Sequence, residues 1–261
     1  SAGEVVKSNN PDFQPGDLVI GAGGWQDYFI PDQADLMSVS KIPQGVSIPN
    51  SMSIFGLTGV TAYFGLLDVG QPKEGETVLV SGAAGATGSV VGQIAKIKGC
   101  RVVGIAGGPE KCAWLIEGAN FDAAIDYKNE NVYKGILKHC PQGVDVYYEN
   151  VGGDILEAAL GCLAMNARIV LCGGISSYNS EEVPPGPRGL MNLVRTRSRI
   201  QGFLVLDYVD RFSQARKDIA QWMADGLLVS QEDIQEGFEN APKTFMRLFT
   251  GQNRGKQMLK L

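Results

Sequence analysis

Residues 78–100 read VLVSGAAGATGSVVGQIAKIKGC. An aliphatic, β-branched run leads into glycines at 82, 85, 88 and 92, and helix formers follow. A buried strand that turns directly into a helix leaves the helix's first N–H groups without intrahelical partners and adds the positive end of its dipole. A phosphate bound there satisfies both. Against the pattern G-x-G-x-x-G, Gly85 and Gly88 fill the later glycine positions and Ala83 stands in the first. Gly85 lets the backbone approach a pyrophosphate, and Gly88 and Gly92 remove side chains where the helix presses on a sheet. The match alone is modest, because a glycine-rich turn can also bind nothing. The surrounding strand–helix–strand pattern is what points to a dinucleotide.

Outward from this stretch, helical and strand patterns alternate. They predict a helix over 52–67, strand 77–81, helix 87–98, strand 101–105, helix 109–117 and strand 123–126. Strand 144–148, helix 153–164, strand 168–172, a loop 173–188, helix 189–196 and strand 200–205 follow. This order predicts an α/β fold with a doubly wound parallel (Rossmann) sheet. Phe212, Ala215, Ile219 and Met223 recur at helical spacing within 208–226, and GKQMLKL at the end reads as a last strand. The first fifty residues read as short strands, GEVVKS, LVIGAG and WQDYFI, between turns such as Pro15-Gly16-Asp17. A β-rich unit is therefore expected from both ends, 1–55 and 230–261, around a dinucleotide-binding block at 56–229. With so few strands, that unit reads as partial, its N-terminal part missing.

Hydrophobic residues make up 44% of the 261 positions and charged residues 20%, the balance of an ordinary globular protein. The 28 acidic and 23 basic side chains form no basic block, which argues against nucleic acid or an anionic membrane as partner. No apolar run is long enough to span a bilayer. Cys100, Cys112, Cys140, Cys162 and Cys172 are odd in number and contain no C-x-x-C, so reduced thiols and a cytoplasmic location are expected. The one histidine, His139, adjoins Cys140 in KHCPQG, a poor arrangement for two ligands of one metal ion. No metal site is expected, and His139 reads as part of a surface loop.

The end of the second strand selects the dinucleotide. An NAD site wants a carboxylate there for the ribose 2′-hydroxyl. Here RVVGIA runs into Gly107-Gly108-Pro109 with no acid at the tip, and Lys111 follows. A cation beside an open strand end suits a 2′-phosphate, so NADP(H) is the expected cofactor. Glu110 is the competing candidate, as a ribose acid or a residue serving the helix's first turn.

Several long segments, in order, resemble a known family. SGAAGATGSVVGQIAKIKGCRVVGIAGGPEK, YYENVGG, LCGGISSYN and GLTGVTAYFGLLDVGQPKEGETVLVS are similar to zinc-independent medium-chain reductases. The branch resembled is that of the alkenal, prostaglandin and curcumin reductases, and GWQDY and VPPGP resemble its bacterial curcumin reductases. The resemblance implies a GroES-like barrel, here incomplete at its start. It implies that Gly85, Ala86, Thr87 and Gly88 lie against the pyrophosphate, and that Lys111 and Tyr127 meet the 2′-phosphate. It implies that Asn150 contacts the cofactor at a strand end. Cys172, Gly173, Gly174, Ile175, Ser176, Ser177 and Tyr178 would pass the nicotinamide and its ribose. Phe203, Leu204 and Val205 would wall the nicotinamide, and Asn253 would reach the cofactor from late in the chain.

The implied reaction is NADPH-dependent reduction of the C=C bond of an α,β-unsaturated carbonyl, with hydride added at the β carbon. The resemblance assigns stabilisation of the resulting enolate to a tyrosine hydroxyl and the nicotinamide ribose hydroxyl, and Tyr178 matches that tyrosine. Tyr63 is a weaker candidate, better explained by helix packing. A cofactor-binding but inactive remnant and a quinone reductase remain as alternatives. A homodimer formed through a sheet edge near IQGFLVL is also implied, the unpaired backbone of an edge strand inviting a partner.

Overall fold

The computed structural model describes residues 1–32, 39–182 and 184–261; Val183, which opens the VPPGP motif, lies outside them. Strands β1 (Ala2–Glu4), β2 (Leu18–Ile20) and β3 (Ser40–Lys41) pair antiparallel in that order. The main sheet holds β4 (Thr77–Val80), β5 (Arg101–Ala106), β6 (Ala123–Asp126), β7 (Val144–Glu149), β8 (Leu163–Leu171) and β9 (Arg199–Gly202). Its order is β6-β5-β4-β7-β8-β9 and every pair is parallel. The strand direction of travel reverses between β4 and β7, where doubly wound sheets place their ligands.

The apolar runs 78–80 in β4, 102–106 in β5 and 146–148 in β7 are unbroken because both faces of the sheet are covered. Successive residues point to opposite faces. Val78, Val80, Val102, Val146 and Tyr148 meet one set of helices, including Leu57–Phe64, Gly88–Ile97 and Phe212–Ala224. Leu79, Val103, Ile105 and Tyr147 meet the helices Val132–His139 and Gly153–Leu160 on the other face.

Several expectations need correction. The helix expected over 52–67 is two helices, Ile48–Met52 and Leu57–Phe64, the second continuing as a π-helical stretch Gly65–Gly70. The chain breaks at Ser53, whose hydroxyl donates to Glu232 Oε1 at 2.8 Å. Gly59 permits the tight return, since a Cβ there would lie 1.7 Å from the Ile54 carbonyl oxygen. His139 closes the helix Val132–His139, capped at its start by Asn131, and is not in a loop; Cys140 is buried beside it. The stretch 25–30 forms no strand; Tyr28 and Ile30 are exposed, and Trp25 packs edge-on against Phe245 at 5.7 Å. β9 ends at Gly202, not 205, and a 3₁₀ segment, Val205–Arg211, leads into Phe212–Ala224.

The C-terminal segment holds more than a final strand. β10 (Glu232–Glu236), the helix Ala241–Thr250 and β11 (Lys256–Lys260) form a parallel βαβ unit. Gly255 donates its N–H to the Ala84 carbonyl at 2.7 Å and bridges Gly85. Among the described residues, no strand of the front sheet pairs with β10 or β11.

Candidate active site

The carboxyl ends of β4, β7 and β8 carry three loops that touch one another. In the first, Gly82 adopts φ 57°, a conformation that favours glycine, and a Cβ on Gly88 would lie 2.4 Å from the Gly82 carbonyl oxygen. Ser89 donates to Gly85 O and Val91 to Thr87 O, so the helix is already wound at this point. The parallel bridge between Gly85 and Gly255 turns the Ala86 N–H toward Gly255 O, but among the described residues the N–H groups of Thr87 and Gly88 have no carbonyl partner. They are the orphan donors of a helix start, and they suit a pyrophosphate.

The second loop lies against the first. Asn150 donates its amide Nδ2 to Ser81 O at 2.7 Å and its backbone N–H to Ser81 Oγ at 2.8 Å. The third loop hangs from the second: Gly173 N donates to Glu149 O, Ile175 N to Asn150 O and Ser176 Oγ to Val151 O at 2.6 Å. Ser177 Oγ closes onto Gly174 O. Tyr178 is 63% exposed, and its hydroxyl accepts from Gly174 N at 3.1 Å, which leaves the phenolic proton free to donate outward. Cys172 is half-buried and its thiol is pushed up by that burial, which makes it a poor nucleophile.

A second cluster forms at the end of β5. Lys111 Nζ donates to Gly251 O at 2.9 Å, and the Tyr127 ring lies over Gly107 with its hydroxyl near Gly251. Burial, followed by the neighbouring Lys128, lowers the Lys111 pKa. An ammonium carries three protons, so Lys111 keeps donors for a phosphate while holding Gly251. Asp126, at the tip of β6, is turned away from this role. It accepts from Gly108 N at 2.8 Å, Lys128 N and Asn129 Nδ2. Partial burial works against its charge, but these hydrogen bonds outweigh it and lower its pKa. Glu110 is exposed on the helix's first turn and lines a cleft of about 410 Å³ together with Lys111, Gln231, Asp233, Gln252 and Arg254.

The remaining expected residues are more dispersed. Phe203 is half-buried and occupies the space a Cβ on Gly65 would need. Leu204 is exposed, whereas Val205 is buried in the main core, so the Val205 side chain is not a free wall. Asn253 Nδ2 donates to Gly255 O in its own loop, two residues from the bridge to Gly85. Tyr63 donates to Asp218 at 2.6 Å; burial, then Asp218, raises its pKa to about 12. That hydroxyl is committed to packing. Among the described residues, no group of three or more His, Cys, Asp or Glu side chains is arranged to hold a metal ion, and no helix is long and apolar enough to cross a membrane. Ser81, Glu149 and Gly251 were not singled out from the sequence, because the contacts Ser81–Glu149 and Lys111–Gly251 span 68 and 140 positions.

A parallel six-stranded sheet with orphan helix-start donors at its switch point defines a Rossmann-type fold of the kind that binds dinucleotides. The family model described as "Zinc-binding dehydrogenase" matches residues 86–223, and one described as "N-terminal domain of oxidoreductase" matches residues 1–39. The NADPH-dependent curcumin reductase of Escherichia coli strain K12 is 47% identical over 262 residues, covering 98% of this chain and 75% of that protein. The NADP(+)-dependent 2-alkenal reductase of Nicotiana tabacum is 42% identical, covering 98% and 74%. The crystal structure of CurA from Vibrio vulnificus in complex with NADPH superposes with a TM-score of 0.90 at 41% identity, over 99% of this chain and 79% of that one. The chain belongs to the medium-chain dehydrogenase/reductase family, in the branch of the curcumin and alkenal reductases.

Proposed function

We propose that this chain binds NADP(H) and reduces the C=C bond of an α,β-unsaturated carbonyl compound. The observation that carries the reading is the convergence of Lys111, Tyr127 and Gly251 beside a glycine turn with orphan N–H donors at Thr87 and Gly88. A 2′-phosphate would take the Lys111 ammonium and the Tyr127 hydroxyl, and a pyrophosphate the N–H groups of Thr87 and Gly88, with Gly85 and Ala86 lying against it. Asn150, the run Cys172–Tyr178, Phe203, Leu204, the backbone of Val205 and Asn253 complete the proposed site. Names of relatives that act on curcumin and on 2-alkenals support the substrate class.

NADPH, when bound, supplies the hydride. The protein's part is to orient the β carbon and to meet the negative charge that develops on the carbonyl oxygen. Tyr178 carries that second task. Its hydroxyl accepts from Gly174 N, which leaves its own proton to donate to the developing enolate oxygen.

We divide the chain into a GroES-like portion, 1–55 with 230–261, and the dinucleotide-binding portion, 56–229. Five unpaired cysteines support a reducing, cytoplasmic compartment. β9 is an edge strand of the main sheet, which supports a homodimer by strand addition; a monomeric mass in solution at micromolar concentration contradicts this.

The function is tested by mixing the chain with NADPH and an enone, with NADH and a quinone as comparisons. The expected result is oxidation of NADPH by the enone. Binding without turnover would instead make the chain a dinucleotide binder, and preference for the quinone would make it a quinone reductase.

A further inference from the structure

Glu149 ends β7 and is 1% exposed, yet no cation faces its carboxylate among the described contacts. Four donors surround it instead. Oε1 accepts from Ser81 Oγ at 2.7 Å, from Gly152 N at 2.9 Å and from Val151 N. Oε2 accepts from the buried Tyr147 hydroxyl. A buried carboxylate with this many donors is costly to form and is retained only where the hydrogen bonds are complete. The Oε1 contacts join a distant partner, Ser81, to two near ones, Val151 and Gly152. Ser81 belongs to the strand end that enters the glycine turn, whereas Val151 and Gly152 form the next loop. The Glu149 backbone carbonyl receives Cys172 N at 3.0 Å and Gly173 N at 3.1 Å, so the third loop is fixed to the same residue.

We propose that Glu149 is a positioning residue: its Oε1 locks the glycine turn to the Asn150–Gly152 loop and so sets the alignment of the dinucleotide-binding donors. The inference rests on reading these loops as the cofactor site. Ser81 Oγ relays the lock, because it donates to Glu149 and accepts from Asn150 N. Asn150 is held by the same strand end, with Nδ2 on Ser81 O. A glutamine at 149 can keep its carbonyl oxygen on the three loop donors and point its amide at the Tyr147 oxygen. A leucine of similar size cannot accept from any of them.

Amide hydrogen exchange on the chain without nucleotide, followed by NADPH titration, tests this. E149L is expected to speed exchange together in residues 82–88 and 150–152 and to weaken NADPH binding by about tenfold or more, the scale of one unsatisfied buried donor. E149Q is expected to keep both within about threefold of the unmodified chain, since its acceptor is retained. A generally loosened fold would speed exchange in the remote helix Phe212–Ala224 as well; the proposal requires that helix to stay protected. S81A, a smaller change at the other end of the lock, is read by the same criterion if E149L does not fold. Faster exchange in only one of the two loops, or in neither, overturns the proposal. If the loops loosen together while the unmodified chain itself ignores NADPH, the lock stands and the cofactor reading fails.

Discussion

Lys111 Nζ donates to the Gly251 carbonyl at 2.9 Å, tying the helix after β5 to the loop before β11 across 140 positions of sequence. The cation is thus held at one side of the proposed nucleotide site before any phosphate arrives, and it loses little side-chain freedom on binding. Lys111→Ala should weaken NADPH by about 1.5–3 kcal/mol, the range of a hydrogen bond to a charged group, and leave NADH nearly unchanged. Calorimetric titration with both nucleotides checks this. Equal losses would show that Lys111 merely supports the fold.

Gly88 should be intolerant of any side chain. A Cβ there meets the Gly82 carbonyl oxygen at 2.4 Å and Ala83 Cα at 2.9 Å, both backbone atoms that cannot swing aside. Gly88→Ala is expected to cost about 1–3 kcal/mol of stability through overpacking and to weaken NADPH binding as the turn shifts. Thermal melting and titration read the two effects. A variant that melts and binds as the unmodified chain does would mean the turn is looser than described.

The sheet was legible because β4, β5 and β7 each carry an unbroken apolar run, 78–80, 102–106 and 146–148, and the glycine turn because close approach leaves no room for Cβ atoms. The C-terminal βαβ unit was not. β10 reads EDIQE, with only Asp233 and Gln235 beside Ile234 to mark an inner face, and its two-stranded sheet buries too little to impose a pattern. The helix Val132–His139 escaped for a similar reason, since only Gly135 and Ile136 are buried. WQDYFI misled because its large apolar residues are exposed or packed on Phe245, not alternating across a sheet. Of the site, Lys111 was readable from the acid-free strand tip, whereas Tyr178, Tyr127 and Asn253 rested on resemblance. The interlocking of Ser81, Glu149 and Gly251 had no local signal.

Stability should fall in acid through Glu76. Its carboxylate pairs with Arg168, whose Nη1 lies 3.0 Å from Oε1 and whose other nitrogens hold Gly70 O and Gln71 O. Burial raises the Glu76 pKa, but the Arg168 hydrogen bond and others outweigh it, and the net shift is downward. A lowered folded-state pKa stabilises above the unfolded carboxylate value and is lost as pH falls through the folded one. Glu76→Gln should therefore cost about 1.5–3 kcal/mol at neutral pH, and the gap should close in acid, as melting curves across pH would record. A gap independent of pH would remove the charge from the account.

Tyr178→Phe should lower turnover by about 10²–10³-fold, the effect of losing one donor aimed at developing negative charge. NADPH affinity should hold, because among the described residues the phenol hydroxyl bonds to Gly174 N in its own loop. Single-turnover kinetics with an enone separate the two. An unchanged rate, where hydride transfer limits turnover, would leave Tyr178 without a catalytic role.

The direction of hydride addition tests the functional reading most directly. The chain would be given an α,β-unsaturated ketone and NADPH carrying deuterium at the transferable position, and the product analysed by mass spectrometry and NMR. A saturated ketone with deuterium on the β carbon is the expected result. An allylic alcohol with deuterium on the former carbonyl carbon would contradict the assignment of C=C reduction.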